Sequence, residues 1–241
     1  MTTLIVSDLH LDRSHPAITA QFREFLGNEA RTATALYVLG DLFEAWLGDD
    51  DPCPHKAAVI GAFADLTRAG VALYFMHGNR DFLLGSGFCE RTGGALLTDP
   101  TVLEVDGRRL LLTHGDALCT DDVPYQKLRA LVRDPRLQRR FLGLPIAERT
   151  ALAGEARQGS QAHTSTQAMA LMDVNDAAVR ATFVRAQVDL IVHGHTHRPA
   201  IHELTVEGRQ CTRIVLGDWY RAGSYVRLSA EAVELIEIPR V

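Results

Sequence analysis

Five short apolar runs in this chain each end in a small residue followed by a polar side chain that can bind a metal ion. Runs rich in β-branched residues and leucine, bounded by glycine, are typical of buried strands. The five copies are "TLIVSDLH", "ALYVLGD", "VALYFMHGN", "LLLTHGD" and "DLIVHGHTH". A fold built on this pattern must bury five strands and still bring their polar ends to an accessible edge.

The segments between and after these strands predict the rest of the architecture. Amphipathic stretches around Phe22–Leu26 and Ala57–Ala69 indicate crossover helices, which gives a β-α-β-α-β series with a largely parallel sheet. Hairpins are predicted where "VLEVDGRRLLL" turns at Asp106–Gly107 and "ELTVEGRQCTRIVL" turns at Glu207–Gly208, and "SYVRLSAEAVELIEI" follows. We therefore predict an α/β fold with two mixed sheets packed face to face and helices outside.

Length and charge narrow the class of protein. The 241 residues suffice for one sizeable core, so we expect a single domain over residues 1–241 with an insertion. A formal net charge of −5 argues against a nucleic-acid partner held by a general basic surface. The four cysteines form no C-x-x-C pair, the N-terminus begins a strand at once, and no run of eighteen apolar residues occurs. We expect a cytoplasmic protein that is neither exported nor membrane-spanning.

The polar residues that follow the five strands are candidate metal ligands. Ligands of open α/β sheets bind beyond the carboxyl ends of the strands, so these side chains should converge. Asp8 and His10 lie two apart on a segment predicted to be extended, which points them to the same side, and so do His195 and His197. The full predicted set is Asp8, His10, Asp41, Asn79, His114, His195 and His197.

Seven ligands are too many for one tetrahedral zinc ion, although any single histidine here would more often be structural. They suit two five- or six-coordinate ions that share a bridging carboxylate and keep positions open for water. Imidazole mixed with carboxylate and amide oxygen favours Mn²⁺, Fe²⁺ or Zn²⁺ over Mg²⁺. We predict two Mn²⁺ per chain, with His193 as a structural neighbour of the ligands.

Several longer stretches resemble a known family. "SDLHL", "GDLFEAWLGDD", "HGNRDFLLG", "THGD", "HGHTHRP" and "VLGDWYRAGSY" resemble the calcineurin-like metallophosphoesterases, and within them the UDP-2,3-diacylglucosamine hydrolases of lipid A biosynthesis. The likeness covers nearly the whole chain. The D-x-H, G-D, G-N, H and G-H-x-H skeleton is specific for the superfamily, whereas "EAWLGDD", the Arg of "GNRD" and "CTDDVPYQ" point to the subfamily.

The resemblance implies a four-layer αββα sandwich and a dinuclear metal-dependent diphosphatase. One ion would be held by Asp8, His10, Asp41 and His197, and the other by Asp41, Asn79, His114 and His195. The implied reaction is hydrolysis of UDP-2,3-diacylglucosamine at the α-phosphorus, which gives UMP and 2,3-diacylglucosamine 1-phosphate, or lipid X. The catalytic residues carried over are Asp41, Asn79, Arg80 and His195.

Arg80 departs from the wider superfamily, in which a histidine commonly follows the Gly-Asn pair. A sugar 1-phosphate is a weakly basic leaving group with little need of a general acid, whereas a diphosphate offers charge for an arginine fork. The competing interpretation is a surface salt bridge from Arg80 to Asp81 or another nearby acid. The substrate contacts implied by the family, with Trp46 as a candidate pocket residue, are Trp46, Asn79, Arg80, Asp122, Tyr125, Ser160, Thr164, Gln167 and His195.

Three of these contacts carry open alternatives. Gln167 stands where some family members use Lys, and Ser160 and Thr164 can equally serve as helix caps. The run of aspartates at 49–51 lies before a proline and indicates a solvated turn. Asp116 and Asp218 are expected to be turn residues or supporting residues and not direct ligands.

Residues 121–173 form a long segment with helix signals of its own. Pro135 and Pro145 each lie at a predicted first helical turn, so we expect a helical cap inserted into the domain. Eight basic residues stand against three acidic ones between positions 123 and 157, a surplus of five positive charges. A solvated helix face would explain any single arginine of this set.

The charge surplus occurs beside residues that look exposed and apolar, namely Phe141, Leu142, Leu144 and Ile146. Together they resemble an amphipathic surface for an anionic membrane, which a lipid substrate would require. We expect peripheral attachment to the cytoplasmic face of the inner membrane. Two other functions remain open: a general metallophosphoesterase acting on soluble nucleotides or phosphodiesters, and a metal-free binding scaffold on the same fold.

Overall fold

The computed structural model describes residues 2–166, 173–221 and 223–239, with the side chains of 157–166 left aside. Its first sheet contains β1 (Thr3–Val6), β2 (Ala35–Leu39), β3 (Ala72–Met76), β4 (Ala95–Leu97), β10 (Gly223–Leu228) and β11 (Val233–Ile238). Its second sheet contains β5 (Thr101–Val105), β6 (Arg108–Thr113), β7 (Leu190–His193), β8 (Ala200–Val206) and β9 (Arg209–Val215). The strand orders are β11-β10-β1-β2-β3-β4 and β5-β6-β7-β9-β8.

Both sheets are mixed, as predicted. Strands β1 to β4 run parallel to one another, and β10 and β11 are antiparallel additions on the β1 side. In the second sheet β6, β7 and β9 are parallel, with β5 and β8 antiparallel at the edges. The predicted hairpins at Asp106–Gly107 and Glu207–Gly208 join β5 to β6 and β8 to β9, and the non-glycine turn residues adopt positive φ.

Helices join the parallel strands of the first sheet and cover its outer face. They are α1 (Pro16–Gly27), α2 (Pro54–Arg68) and α3 (Ser86–Thr92). Proline opens both α1 and α2, where its missing N–H costs no intrahelical bond. Phe22 of α1, Phe63 of α2 and Phe88 of α3 are fully buried in the core that they share with β1 to β3. The two predicted crossover helices are therefore confirmed.

Three apolar cores separate four layers. The core between the sheets includes Ile5 and Leu39 from the first sheet and Leu112 and Val192 from the second. On the far side of the second sheet, Phe183 of α7 (Asp176–Ala186) packs in a third cluster. The order helices, sheet, sheet, helix is the expected αββα sandwich.

The segment predicted as a cap contains three helices, α4 (Val123–Val132), α5 (Pro135–Leu142) and α6 (Ile146–Thr166). Asp122 and Asp134 cap α4 and α5 by accepting hydrogen bonds from the backbone N–H groups of Tyr125 and Arg136. Among the residues described, no helix combines the length and apolar character needed to cross a bilayer. We refer to α4, α5 and α6 as the cap helices.

Candidate active site

The ends of five strands from both sheets bring the predicted ligands together. His10 Nε2 lies 3.2 Å from His197 Nε2, and His197 Nε2 lies 3.3 Å from Asp8 Oδ1. Asp41 Oδ2 is 3.7 Å from His10 Nε2. These four side chains form the first cluster of the site.

A second cluster adjoins the first. Asn79 Oδ1 lies 3.0 Å from His114 Nε2 and 2.9 Å from His195 Nδ1. Asp41 Oδ1 is 3.8 Å from His114 Nε2, so the two oxygens of this carboxylate face different clusters. Asp8 also has a ligand atom within 4.8 Å of one on Asp41 and one on His114. All seven predicted side chains thus meet at one edge of the sandwich.

The backbone reaches this arrangement by a route that differs from the sequence prediction. Strand β1 ends at Val6 and β7 at His193, so neither ligand pair lies on an extended segment. Left-handed φ angles are adopted instead by Asp8 (54°), His10 (48°), Asp41 (51°), His195 (67°) and His197 (55°). Non-glycine residues seldom adopt this conformation, because Cβ crowds the backbone, and such strain concentrates at functional sites.

The turned backbone also separates the two histidines that the prediction placed side by side. His195 faces Asn79 in the second cluster, whereas His197 faces His10 and Asp8 in the first. A strictly extended segment would have sent both imidazoles to one place. The left-handed turns therefore distribute ligands between two clusters.

Two glycines let the ligand loops approach this closely. A Cβ on Gly78 would lie 2.1 Å from Asp41 Oδ1, and one on Gly194 would lie 2.0 Å from Asp8 Oδ2. Either contact is far inside van der Waals distance, so any side chain would displace a carboxylate of the site.

Carboxylates outside the predicted set orient two of the imidazoles. Glu44 Oε2 lies 3.1 Å from His10 Nδ1, and Asp218 Oδ2 lies 3.4 Å from His197 Nδ1. A carboxylate beside Nδ1 favours the ring proton on that nitrogen, which leaves the Nε2 lone pair for a metal. Asp218 was expected in a supporting role, but Glu44 was missed, although it lies in the "GDLFEAW" stretch three residues after a ligand.

The donor set of the two clusters fits divalent cations. The Nε2 atoms of His10 and His197 face each other, and Asp8 Oδ1 is buried beside them with no hydrogen-bond partner among the described residues. His114 donates through Nδ1 to the carbonyl oxygen of Leu39 at 2.8 Å, and its Nε2 faces the side-chain oxygens of Asn79 and Asp41. Buried acceptors without donors are unfavourable unless a cation lies between them.

Local charges shift the histidine pKa values in opposite directions. Burial alone would lower the pKa of His114, but the charges of Asp41 and Asp116 outweigh it and raise the pKa to about 9. Burial and the neighbouring His114 lower the pKa of His195 to about 4. Burial lowers the pKa of His193 to about 3, and this residue accepts a hydrogen bond from Arg213, in keeping with a structural role.

Asp81 ties two ligand loops together. Fully buried, it accepts hydrogen bonds from the backbone N–H groups of Gly78 (2.8 Å), Leu42 (2.7 Å) and Asp41 (3.2 Å). It is therefore not a surface partner of Arg80. The nearby acid that Arg80 approaches is Glu44, with 3.8 Å between Nη1 and Oε1.

A cleft of about 360 Å³ opens beside the clusters, between the cap helices and the core. Its polar end contains Asn79, Arg80 and Tyr125. Trp46 lines it as expected, with its Nε1 donating to Asp49 Oδ1 at 3.1 Å. The apolar walls come from Phe82, Leu83, Leu128, Val132, Leu137, Phe141, Leu152 and Ala156.

Tyr125 forms the boundary between cleft and clusters. Its ring stacks on His195 with 5.7 Å between ring centroids, and its hydroxyl donates to Asp116 Oδ2 at 2.9 Å. Asp122 accepts from the Tyr125 backbone N–H at 3.0 Å, which fixes the start of the same helix. Asp116 supports the site through Tyr125, as expected of a residue that is not a ligand.

Three predicted substrate contacts, Ser160, Thr164 and Gln167, lie wholly or partly outside the described residues. The backbone of Ser160 and Thr164 lies in α6, but their side chains are outside the described residues, as is the whole of Gln167. Their contacts stay predictions. Asp49, in the aspartate run, accepts from the backbone N–H groups of Gly85 and Phe88 at 3.1 Å each, which is a structural role.

Three cap arginines are anchored to the core and do not form a solvated face. Arg129 Nε and Arg133 Nη2 lie 2.8 and 3.2 Å from Asp116 Oδ2. Arg149, whose side chain is 3% exposed, donates from Nη1 to Asp50 Oδ1 at 2.7 Å and from Nη2 to Asp50 Oδ2 at 2.5 Å. These three arginines are therefore not part of the basic surface predicted to face a membrane.

Phe141 was also expected on the exposed apolar surface, but it is half-buried against the core and lines the cleft. Leu142 is exposed as expected, whereas Leu144 and Ile146 are half-buried. Among the described residues of the cap helices, the most exposed large apolar ones are Leu131 (58%), Val123 (54%) and Leu128 (50%), all on α4. Which apolar side chains of the cap are exposed depends on how its helices pack, so this difference could not be predicted from local sequence.

Comparisons with known proteins agree with this geometry. The profile of the calcineurin-like phosphoesterases matches residues 1–199. A UDP-2,3-diacylglucosamine hydrolase of Stenotrophomonas maltophilia (strain R551-3) is 54% identical over 247 residues, with 100% of both chains covered. One from Escherichia coli O7:K1 (strain IAI39 / ExPEC) is 50% identical, covering 99% of this chain and 100% of the relative.

Among solved structures, an archaeal phosphodiesterase shares the fold with a TM-score of 0.53 and 16% identity, covering 99% of each chain. At that identity the likeness concerns the fold alone.

Proposed function

Because the chain belongs to the calcineurin-like phosphoesterase family, we propose that it hydrolyses the diphosphate of UDP-2,3-diacylglucosamine at the α-phosphorus, releasing UMP and 2,3-diacylglucosamine 1-phosphate. The observation that carries this proposal is the cleft, whose polar end at Arg80 adjoins the ligand clusters while its walls are apolar. A diphosphate joined to a sugar that carries two acyl chains matches that order of surfaces. Relatives of the same length, 50–54% identical, carry the name of this activity.

The seven converging side chains would hold two Mn²⁺ ions. Asp8, His10 and His197 would bind one and Asn79, His114 and His195 the other, with Asp41 shared. When bound, such ions supply a hydroxide nucleophile and neutralise charge on the phosphoryl oxygens. The mixture of imidazole nitrogen and oxygen ligands suits Mn²⁺, Fe²⁺ or Zn²⁺ better than Mg²⁺, and Mn²⁺ is the ion that we propose.

The chain's own residues would position the substrate. Arg80 lies next to Asn79 at the polar end of the cleft, where its guanidinium can hold the diphosphate oxygens. The departing sugar 1-phosphate needs little proton donation, which is consistent with an arginine in place of a general acid. Tyr125, held by Asp116 and stacked on His195, would close one side of the site.

The apolar walls of the cleft would take the acyl chains. Phe82 and Leu83 lie on the core side, and Leu128, Val132 and Phe141 on the cap side. Each buried CH₂ contributes about 0.8 kcal/mol, so even partial burial of two chains favours a lipid over a soluble nucleotide.

We further propose that α4 docks on the cytoplasmic face of the inner membrane. Leu128 and Leu131 are exposed and lie three residues apart on one side of this helix. Leu128 also lines the cleft, so the surface that meets the lipid adjoins the opening through which the substrate would enter. Positive charge would come from the cap residues Lys127, Arg136, Arg139 and Arg140.

The test is turnover of UDP-2,3-diacylglucosamine with Mn²⁺ in ¹⁸O-labelled water. Attack at the α-phosphorus places the label in UMP, because the bond between that phosphorus and the bridging oxygen breaks. Label in the sugar phosphate would show attack at the β-phosphorus. No UMP release from protein with full metal content would overturn the proposed function, and equal turnover of a soluble nitrophenyl diester would favour a general phosphoesterase.

A further inference from the structure

We propose that Glu44 is a positioning residue that couples the metal site to the arginine that binds the diphosphate. One oxygen, Oε2, lies 3.1 Å from His10 Nδ1, and the other, Oε1, lies 3.8 Å from Arg80 Nη1. A single buried carboxylate thus contacts a candidate ligand on one side and the candidate substrate contact on the other. The inference rests on the metal site and the Arg80 role proposed above.

The physical basis is competition for one negative charge. Glu44 lies in a buried environment, where charges interact more strongly than in water. The closer Arg80 draws the carboxylate, the less it polarises the N–H of His10, and the weaker the imidazole becomes as a ligand. A diphosphate that binds Arg80 would release Glu44 towards His10 and so strengthen metal binding. By linkage, a bound metal would strengthen diphosphate binding by the same factor.

Arg80 has donors left for such a ligand. Its Nε is buried and has no hydrogen-bond partner among the described residues, and its side chain lines the cleft. The pair with Glu44 is long at 3.8 Å, so it leaves the guanidinium able to turn towards an anion. Glu44 therefore keeps Arg80 near the ligand cluster and leaves N–H donors of its guanidinium for the diphosphate.

The partner of the other imidazole provides a matched control. Asp218 faces His197 Nδ1 at 3.4 Å through Oδ2, as Glu44 faces His10. Its Oδ1, however, accepts from the backbone N–H groups of Tyr220 and Arg221, at 3.0 Å each. Asp218 thus faces a candidate ligand with one oxygen and accepts from fixed backbone N–H groups with the other, whereas the second oxygen of Glu44 faces a charged side chain.

The experiment is a double-mutant cycle on Mn²⁺ affinity, measured by calorimetry on metal-stripped protein. We expect Arg80→Ala to tighten Mn²⁺ binding about threefold or more when Glu44 is present and to have little effect in the Glu44→Gln background. In the Asp218→Asn background, the effect of Arg80→Ala should remain as in the wild type. Equal effects of Arg80→Ala in the wild-type and Glu44→Gln backgrounds, or no effect in either, would overturn the coupling.

A second comparison keeps Glu44 intact in case Glu44→Gln does not fold. Arg80→Lys retains a charge near Glu44 and should bind Mn²⁺ as the wild type does, whereas Arg80→Ala should bind it more tightly. Equal affinities of these two variants would contradict the proposal. Failure of every variant and of the wild type to bind Mn²⁺ would instead refute the metal site itself.

Steady-state kinetics provide a measurement that is independent of the affinities. Glu44→Gln should change KM for the diphosphate substrate, and Asp218→Asn should change kcat alone.

Discussion

The Nε2 atoms of His10 and His197 face each other across 3.2 Å, although 187 positions separate the two residues in the chain. His10 follows the first strand of one sheet, and His197 follows the central strand of the other. This approach exists only when the two sheets are packed, because each sheet contributes part of the ligand set. A bound ion would therefore connect the two halves of the sandwich and stabilise the folded state.

Metal binding should be measurable as stability. For a single site, Mn²⁺ at about 100 times its Kd is expected to raise the free energy of unfolding by about 2.7 kcal/mol, because the unfolded chain lacks the assembled ligands. Thermal melts with Mn²⁺ and with a chelator measure the difference. His197→Ala should lose most of it, while replacement of the exposed His202 on β8 should retain it. A shift of the same size in both variants would place the metal elsewhere.

Asp41→Ala should remove at least one ion and reduce kcat on the order of 10³-fold, because this carboxylate faces both clusters. Metal content and turnover are measured on the same sample. Asp106 is the control, since it also has a positive φ but lies in the hairpin turn between β5 and β6. Two ions retained with near-normal turnover in Asp41→Ala would show that the shared carboxylate is misassigned.

Arg80→Ala should lower kcat/KM for UDP-2,3-diacylglucosamine on the order of 10²–10³-fold, or about 2–4 kcal/mol, through loss of a charge-assisted contact. A nitrophenyl diester lacks the second phosphate, so its hydrolysis should fall much less. Arg80→His should not restore the natural reaction, because imidazole offers neither a fixed charge nor a fork. The ratio of mutant to wild-type rates for both substrates is the measurement, and equal losses would mean that Arg80 supports the metal site in general.

Leu128→Ser with Leu131→Ser should weaken binding to anionic vesicles, because these are among the most exposed apolar residues of the cap. Arg139→Glu with Arg140→Glu should weaken it further, by about 1 kcal/mol for each basic contact. Sedimentation with vesicles measures both. Val184→Ser, which replaces an exposed apolar residue on α7, is the control. Unchanged sedimentation of the α4 variant would return its leucines to an ordinary solvated surface.

Phe141 separates binding of the membrane from binding of the substrate. Because it lines the cleft and is half-buried, Phe141→Ser should raise KM for the lipid substrate and leave vesicle binding near the wild-type level. A large loss of vesicle binding with unchanged KM would restore the surface role that the sequence suggested.

Much of the fold was predictable because its signals are local. A strand that ends in a small residue and a polar one repeats in the sequence, and parallel topology brings such ends to one edge whatever the details of packing. Two residues suffice to predict each of the hairpin turns, at Asp106–Gly107 and at Glu207–Gly208. The convergence of the seven side chains follows from this topology together with the face-to-face packing of the two predicted sheets.

The conformation of the ligand loops was not predictable in the same way. An alternating pattern such as Asp8 and His10 is compatible with an extended strand. The left-handed φ angles depend on tertiary contacts, such as the hydrogen bond from the His10 backbone N–H to the Asp41 carbonyl oxygen. Glu44 and Arg149 were missed or misread for a related reason. Their partners lie 34 residues or more away, as with Arg149 and Asp50, 99 positions apart.

The seven converging side chains all lie outside residues 121–173, while that segment supplies one wall of the cleft. The predicted metal ligands and the cap side of the cleft are thus encoded in separate stretches of the gene. Exchange of the helical segment between relatives, with Tyr125 and the arginines that contact Asp116 and Asp50 retained, would change the cap side of the cleft and keep the seven predicted ligands. The same modularity makes the segment a natural unit for chimeras between relatives that differ in acyl chain length.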